Sequence, residues 1–498
     1  MLTLADVVEG VGGPRIEALE SAPVREVAID SRQALRGDLF VALRGERADG
    51  HDFVSHALGR GAIAALVDRR LELAGGPAHG WVDVSAAPAT PSPLAAKLAG
   101  GDGLPLLIRV DDTLKALQRL AAYWRRKIGG LAPGLRVIGI TGSVGKTTTK
   151  EVVAQVLSMR YRTLKSEGNY NNEIGVPLTL LRLRPEHERA VVEMGMYQRG
   201  EIAAYCDWAQ PHTGVITMVA PVHLERLGTI ENIQLAKAEL VQALPAAGDG
   251  GVAVLNDDDE RVQAMAAMTR ARVVSYGLTP RAQVWADDIE SRGLDGISFR
   301  LHYAGQSGLV RAPLMGRHSV HTALRAAAVG FVEGVGWDDV VAGLRVSPAQ
   351  LRLVALEGPH GSLILDDTYN ASEESSMAAL NLLAEIEGGP RVAVLGDMLE
   401  LGDMEEQAHR NVGCRAATAA RYVVCVGRRA RWIAEEAGRC MDEPGRVFAC
   451  DTNAEALRAL RDIVRERCVI LVKGSRGMKM EEIVAGLSAN ATQKAEST

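Results

Sequence analysis

Lys146 lies within the run Thr141-Gly-Ser-Val-Gly-Lys-Thr-Thr148, and residue types at this spacing suit a chain of phosphates. Gly142 and Gly145 let backbone N–H groups turn inward, and Thr141, Ser143 and Thr148 complete the loop. Lys146 adds a point charge for the β- and γ-phosphates, and the Thr147 hydroxyl is placed to ligate the Mg²⁺ that accompanies them. The guest predicted is Mg-ATP. This is the shorter TGxxGKT form, because Ile140 stands where GxxxxGK[ST] has its first glycine.

The elements around this run explain how it would be held. Val137, Ile138 and Ile140 suit a buried parallel strand, and a helix opening near Lys146 presents the end that attracts anions. Further apolar segments at residues 190–195, 214–219 and 252–255 alternate with helices, which predicts a doubly wound sheet with its chemistry at the strand C-termini. Glu193 falls at that edge and His223 follows the next segment, a placement that suits a second cation site. A structural role for either is the alternative. Lys237, on a helix predicted over residues 229–240, reads on its own as a lysine on an amphipathic face.

Residues 1 to about 110 alternate short strands, at 24–29, 39–43, 63–67 and 106–110, with helical pieces and predict a small α/β domain. Asp30-Ser31-Arg32 and the loop with Asp49 and His51 follow two of these strands, where a ligand or simply a turn would fit. A helix over residues 112–128 ends at Gly129-Gly130, a boundary signal. Residues 285–315 predict a β-excursion, and a new unit near Ser347-Pro348 alternates strands at 363–365, 391–395, 422–426 and 468–472 with helices. Its polar residues also follow strands: Asp366-Asp-Thr-Tyr-Asn370, Gly396-Asp397, and Lys473-Gly-Ser-Arg476. The polar tail from about residue 488 predicts fraying.

The chain's 498 residues suit three domains: 1–129, 130–346 and 347–498. A charge of −6 with interspersed signs and only 4% aromatics argues against a nucleic-acid surface. No run approaches the roughly 18 apolar residues of a membrane span. The N-terminus lacks a basic leader, and six cysteines without a CxxC pair read as reduced core residues. A soluble cytoplasmic protein acting on small molecules is expected.

The motifs DSRxxxxGDLFVALRGERxDGHDF, TGSVGKTTTKE, NYNNEIGVPLTLL, LDDTYNA, LGDMLELG and LVKGSR resemble the Mur ligase family of peptidoglycan synthesis, and within it the MurF-type branch. The resemblance covers nearly all of the chain. It implies three domains: a small α/β domain for the UDP-sugar, a central P-loop ATPase domain and a C-terminal Rossmann-like domain for the amine. It implies that Ser31, Arg32, Asp49 and His51 lie by the uridine diphosphate, and Asn171, Asn172 and Glu173 by the muramoyl-peptide. It makes Lys146 the γ-phosphate lysine, Thr147 a ligand of one Mg²⁺, and Glu193 and His223 ligands of a second, with Lys237 as the lysine that becomes a carbamate. Asn256 is implied at the adenine, Asp367 at the ribose, and Arg352 and Asn370 at the phosphates, while Asp397, Lys473 and Arg476 meet the incoming amine. Gln350-Leu-Arg352 departs from the family's usual wording around that arginine.

A carboxylate does not react with an amine at neutral pH until it is activated. Transfer of the ATP γ-phosphoryl group to the substrate carboxylate would make an acyl phosphate, with Lys146, Arg352 and two Mg²⁺ screening the approaching anions. The reaction the resemblance implies joins D-alanyl-D-alanine to UDP-N-acetylmuramoyl-tripeptide, in an enzyme expected to be monomeric. The rivals are a folylpolyglutamate synthetase-like ligase, a P-loop phosphotransferase, and a regulatory nucleotide-binding module.

Overall fold

The structure, a computed structural model, describes residues 1–45, 48–71, 79–84, 104–346 and 353–495. The chain forms two compact units, one of Met1–Gly139, Tyr161–Met194 and Ala203–Pro211, the other of Ile140–Arg160, Gly195–Ile202 and His212–Thr498.

In the first unit, β1 (Val27–Ala28), β2 (Leu39–Val41), β3 (Ala64–Val67), β4 (Gly80–Asp83) and β5 (Leu106–Arg109) form a sheet in the order β1-β2-β3-β5-β4. All its neighbours are parallel, and short apolar strands of this kind hold together because both faces are covered. Phe40, Val54, Ala65, Val67 and Leu107 share one core cluster. The helix Thr113–Leu131 starts where the Asp112 carboxylate accepts from the N–H groups of Leu114 and Lys115. It buries Leu117, Leu120, Trp124 and Ile128, and the Trp124 indole N–H donates to the Leu183 carbonyl at 3.0 Å. The helix continues through Gly129 and Gly130, past the end their presence predicts. β6 (Arg136–Thr141) begins in this unit, and β7 (Thr163–Lys165) pairs in parallel with β8 (Arg189–Glu193).

The second unit takes up the chain at Ile140. There β9 (Thr213–Ile216), β10 (Val252–Asn256), β11 (Arg272–Gly277) and β12 (Val284–Ser291) run parallel in sequence order. β13 (Ile297–Tyr303) and β14 (Gln306–Ala312) add antiparallel to β12, and they are the β-excursion. The helices Lys146–Ser158 and Val320–Val332 pack on one another. A further sheet holds β15 (Val354–Glu357), β16 (Leu363–Asp367), β17 (Arg391–Gly396), β18 (Tyr422–Val426), β19 (Val447–Cys450) and β20 (Val469–Lys473), ordered β15-β16-β20-β17-β18-β19. Only β15 is antiparallel. Each face of this sheet has its own core, one around Leu380, Leu395, Val412 and Ile433, the other around Val424, Leu460, Ile470 and Ile483.

Of the strands the sequence left unmarked, β4, β15 and β19 are sheet edges, where one face or flank stays wet and the apolar signal weakens. Two expectations are corrected. Cys206, Cys425, Cys450 and Cys468 are buried, but Cys414 and Cys440 are exposed on neighbouring helices, with their sulfurs 3.6 Å apart. The tail is helical from Glu481 through Ala495, because alanines at 485, 489, 491 and 495 favour helix where polarity alone suggested fraying.

Candidate active site

The phosphate loop joins β6 to the helix Lys146–Ser158. Gly142 has φ 146°, and a Cβ there would lie 1.8 Å from Thr217 Oγ1, so only glycine lets the loop pass that hydroxyl. Thr217 Oγ1 in turn donates to the Val144 carbonyl at 2.7 Å. Ser143 is tied by its N–H to the Met218 carbonyl (2.9 Å) and by its hydroxyl to the backbone of Ala220. Gly145, with φ 84°, caps the helix in the left-handed region. The Lys146 ammonium donates to the carbonyls of Gly142 (2.7 Å) and Ser143 (3.2 Å), neutral acceptors within the loop it is meant to serve. Thr147 is buried in the first helical turn, beside Thr148. Thr141 is fully buried at the end of β6.

Lys237 lies inside the unit on the helix Ile230–Gln242, so it is not the surface lysine an amphipathic reading suggests. Burial, with the nearby charge of Lys146, pushes its ammonium well below the ordinary lysine range, which favours the neutral amine. Asn256 ends β10 and is buried, its side-chain oxygen accepting from the Asp258 N–H at 3.1 Å. His223 has φ 60° and pairs through Nδ1 with the carboxylate of Glu400, itself at φ 66° in the LGDMLELG stretch. Tyr197 meets the His223 ring edge-on, centroids 5.4 Å apart, and carries Arg226 over its face. The His223 bond holds the Glu400 carboxyl below its usual range.

In the first unit, Glu193 closes β8 with no exposure, its Oε1 accepting from the Asn171 amide at 2.9 Å. Asn172 accepts from the Gly175 N–H (2.9 Å) at the start of the helix Gly175–Leu181, and the Glu173 carbonyl accepts from Gln118. NYNNEIG thus spends its polar groups on distinct tasks: Asn171 orients a carboxylate and Asn172 starts a helix. Ser31 is buried and its hydroxyl meets His56 Nδ1 at 3.0 Å. Arg32 is exposed and pairs with Asp30, whose carboxyl it pulls down to about 2. Asp49 caps the turn through His51 N–H and pairs with Arg69. Burial alone would raise the Asp49 carboxyl, but those N–H and guanidinium partners outweigh it and hold it below the ordinary range. His51 is buried, and the Asp68 N–H reaches its Nε2 at 3.0 Å.

In the third sheet, register sets Lys473 beside Asp367 on one flank and Leu395 on the other. The Lys473 ammonium, 2% exposed, donates to Asp367 (2.7 Å) and to the Asn370 carbonyl (2.9 Å). Asp397 is buried and accepts from the N–H groups of Arg429 (3.0 Å) and Ala430 (2.7 Å) at the start of the helix Ala430–Cys440. Arg476 is exposed, its guanidinium 5.5 Å from the Tyr369 ring centroid. Among the described residues it makes no ion pair with Glu481 or Glu482. Arg352 lies outside the described residues, as does the expected junction at Ser347-Pro348.

Sequence reasoning passed over three residues. Glu400, which holds His223, sits inside LGDMLELG, where nothing in the local spacing points to that histidine. His409 accepts the Met398 N–H at Nε2 and donates from Nδ1 to the Glu405 carbonyl, which pins the loop after β17. Arg325 interrupts an alanine-rich helix, and that lone charge was the signal.

The chain matches the Mur ligase family catalytic domain over residues 23–125, the Mur ligase middle domain over 140–330 and the Mur ligase glutamate ligase domain over 351–476. It is 35% identical over 490 residues to UDP-N-acetylmuramoyl-tripeptide--D-alanyl-D-alanine ligase of Bacillus subtilis, covering 97% of each chain. Among solved structures, MurF from Acinetobacter baumannii matches with a TM-score of 0.80 at 32% identity over 97% of each chain. MurF ligase from Thermotoga maritima in complex with ADP matches at 0.73 and 25% identity, over 96% of this chain and 100% of that one. With likeness of this extent in every part of the sequence, the chain belongs to the Mur ligase family.

Proposed function

We propose that this chain is an ATP-dependent ligase that joins D-alanyl-D-alanine to UDP-N-acetylmuramoyl-tripeptide and releases ADP and phosphate. The observation that carries the reading is the near full-length match to a ligase of that name. The phosphate loop supports the nucleotide half, since Lys146, Gly142, Gly145 and the helix N-terminus form a cradle in which a side chain at Gly142 has no room.

In this reading Lys146 binds the transferring phosphoryl group and offsets charge as the acyl phosphate forms. Arg352 and Asn370 serve the same phosphates, with Asn256 and Asp367 at the adenine and ribose. Ser31, Arg32, Asp49 and His51 hold the uridine diphosphate, and Asn171, Asn172 and Glu173 the muramoyl-peptide. The amine is then met by Asp397, Lys473 and Arg476. The domains are 1–129, 130–346 and 347–498, in a cytoplasmic monomer.

Among the described residues no group of three or more His, Cys, Asp or Glu is gathered around a point that would hold a metal. Mg²⁺ nevertheless fits beside Thr147, because that ion takes few protein ligands and fills its shell with phosphate oxygens and water. Bound there, it supplies charge screening for phosphoryl transfer. Glu193, His223 and Lys237 are the donors for a second ion, Lys237 as a carbamate. Its neutral amine is the form that adds to carbon dioxide, which agrees with the direction its burial imposes.

Phosphate release tests this reading. With Mg-ATP and UDP-N-acetylmuramoyl-tripeptide, release should require D-alanyl-D-alanine. A stable phosphorylated product without the dipeptide would identify a phosphotransferase instead.

A further inference from the structure

Arg325 lies on the helix Val320–Val332 and is 6% exposed. Its guanidinium is held by two neutral groups, the Thr149 hydroxyl (2.7 Å from Nη1) and the His321 carbonyl (2.9 Å from Nε). The Tyr276 ring centroid lies 5.7 Å away. Among the described residues it makes no ion pair with a carboxylate. A guanidinium withdrawn from water without a counter-charge is costly, so such groups are normally paired.

Its position indicates what the counter-charge is. A Cβ on Gly145 would come within 3.3 Å of Nη1 and 3.9 Å of Nη2. Gly145 caps the phosphate-loop helix, and Thr149 is one turn further along the same face. The buried guanidinium therefore lies along the first turn of the helix whose N–H groups face the anion site, on the same turn as Lys146. Glycine at 145 permits that approach, in addition to supplying the left-handed turn.

We propose that Arg325 is a positioning residue of the nucleotide site, a fixed buried cation flanking the phosphate loop whose counter-charge is the phosphate chain of the bound nucleotide. This rests on the ATP-site reading above. It acts through the field it adds at the helix terminus, which the low-dielectric surroundings leave poorly screened. The competing account is a strut, in which the hydrogen bond to Thr149 merely ties two helices together.

The two accounts predict opposite patterns. Mg-ADP affinity measured by calorimetry on the full chain, beside the melting temperature of the nucleotide-free protein, separates them. Arg325→Met removes the charge and keeps much of the length. It should bind Mg-ADP at least roughly tenfold more weakly than the parent, with a melting temperature unchanged or raised, because an uncompensated buried charge has gone. Arg325→Lys keeps the charge but cannot copy the fork, and should stay within about threefold of the parent affinity. If Arg325→Met does not fold, Arg325→Lys decides: near-parent affinity supports the field, and a tenfold loss overturns it. Parent-like affinity in Arg325→Met also overturns the proposal. A parent chain that binds no Mg-ADP would overturn the nucleotide-site reading and this inference with it, whereas binding by the parent with no loss in the methionine variant sinks this inference alone.

Discussion

The phosphate loop and the loops at the C-terminal edge of the third sheet both gather cations at strand ends, yet they treat charge in opposite ways. At the phosphate loop, Lys146 rests on carbonyls, Arg325 on a hydroxyl and a carbonyl, and Lys237 is driven toward neutrality by burial. At the third sheet, Lys473 is matched by Asp367, and Arg429 by Glu405 with Asp397 close by, while Asp397 also takes two helix N–H groups. In the first region the buried Arg325 makes no ion pair with a carboxylate among the described residues. In the second, the buried Lys473 ammonium and the buried Asp397 carboxylate both have partners within the sheet and its loops. Arg476 stays exposed there, outside those pairs and beside the Tyr369 ring.

The largest expected effect sharpens the first half of that contrast. Lys146→Ala should lower turnover by about a thousandfold, since its charge matters most as the γ-phosphoryl group transfers. Affinity for the UDP-substrate, measured by calorimetry, should stay within about twofold. A variant that loses substrate affinity and keeps its turnover would break the assignment of the loop.

The second half is tested by stability. Lys473→Met leaves the Asp367 carboxylate without its cation and should cost about 3 kcal/mol in urea unfolding, within the range for a buried pair broken on one side. Adding Asp367→Asn to the same chain should recover much of that loss. Arg325→Met, whose parent charge has no carboxylate partner, should show no such penalty. Equal penalties at the two sites would erase the difference between the regions.

The phosphate loop could be read from sequence because its working parts are contiguous. Strand, glycines, lysine and threonine occupy one short run, and local geometry does the rest. The alternating strands were legible for the same reason, as unbroken apolar runs such as residues 422–426 became β18 to the residue. The relations that cross the chain were not. Glu400 reaches His223 across 177 positions, and Arg325 reaches Thr149 across 176. Nothing in the spacing of either pair announces the contact, which only packing creates. Lys237 is the instructive intermediate: helical periodicity placed it correctly on a helix but could not tell that its face was turned inward.

Arg476 carries the smallest of these predicted effects and the finest distinction. The D-alanyl-D-alanine carboxylate must be held while its amine faces the acyl phosphate, and a guanidinium can hold such a group by donating two parallel N–H bonds to it. Arg476 stands just after β20, near the Lys473–Asp367 pair but outside it, exposed beside Tyr369 and without an ion pair to Glu481 or Glu482 among the described residues. Lys473 has already committed its charge, so Arg476 is the cation in that loop with capacity to spare. Arg476→Lys keeps the charge and loses the fork. The apparent Michaelis constant for D-alanyl-D-alanine should rise by roughly tenfold, the cost of one charge-assisted bond, with those for ATP and the UDP-substrate nearly unchanged. Because the residue is exposed and stands outside the Lys473–Asp367 pair, the melting temperature should not move. A parallel rise in all three constants would mean that the loop itself had collapsed, and the third sheet would then depend on that arginine for its shape as well as for its substrate.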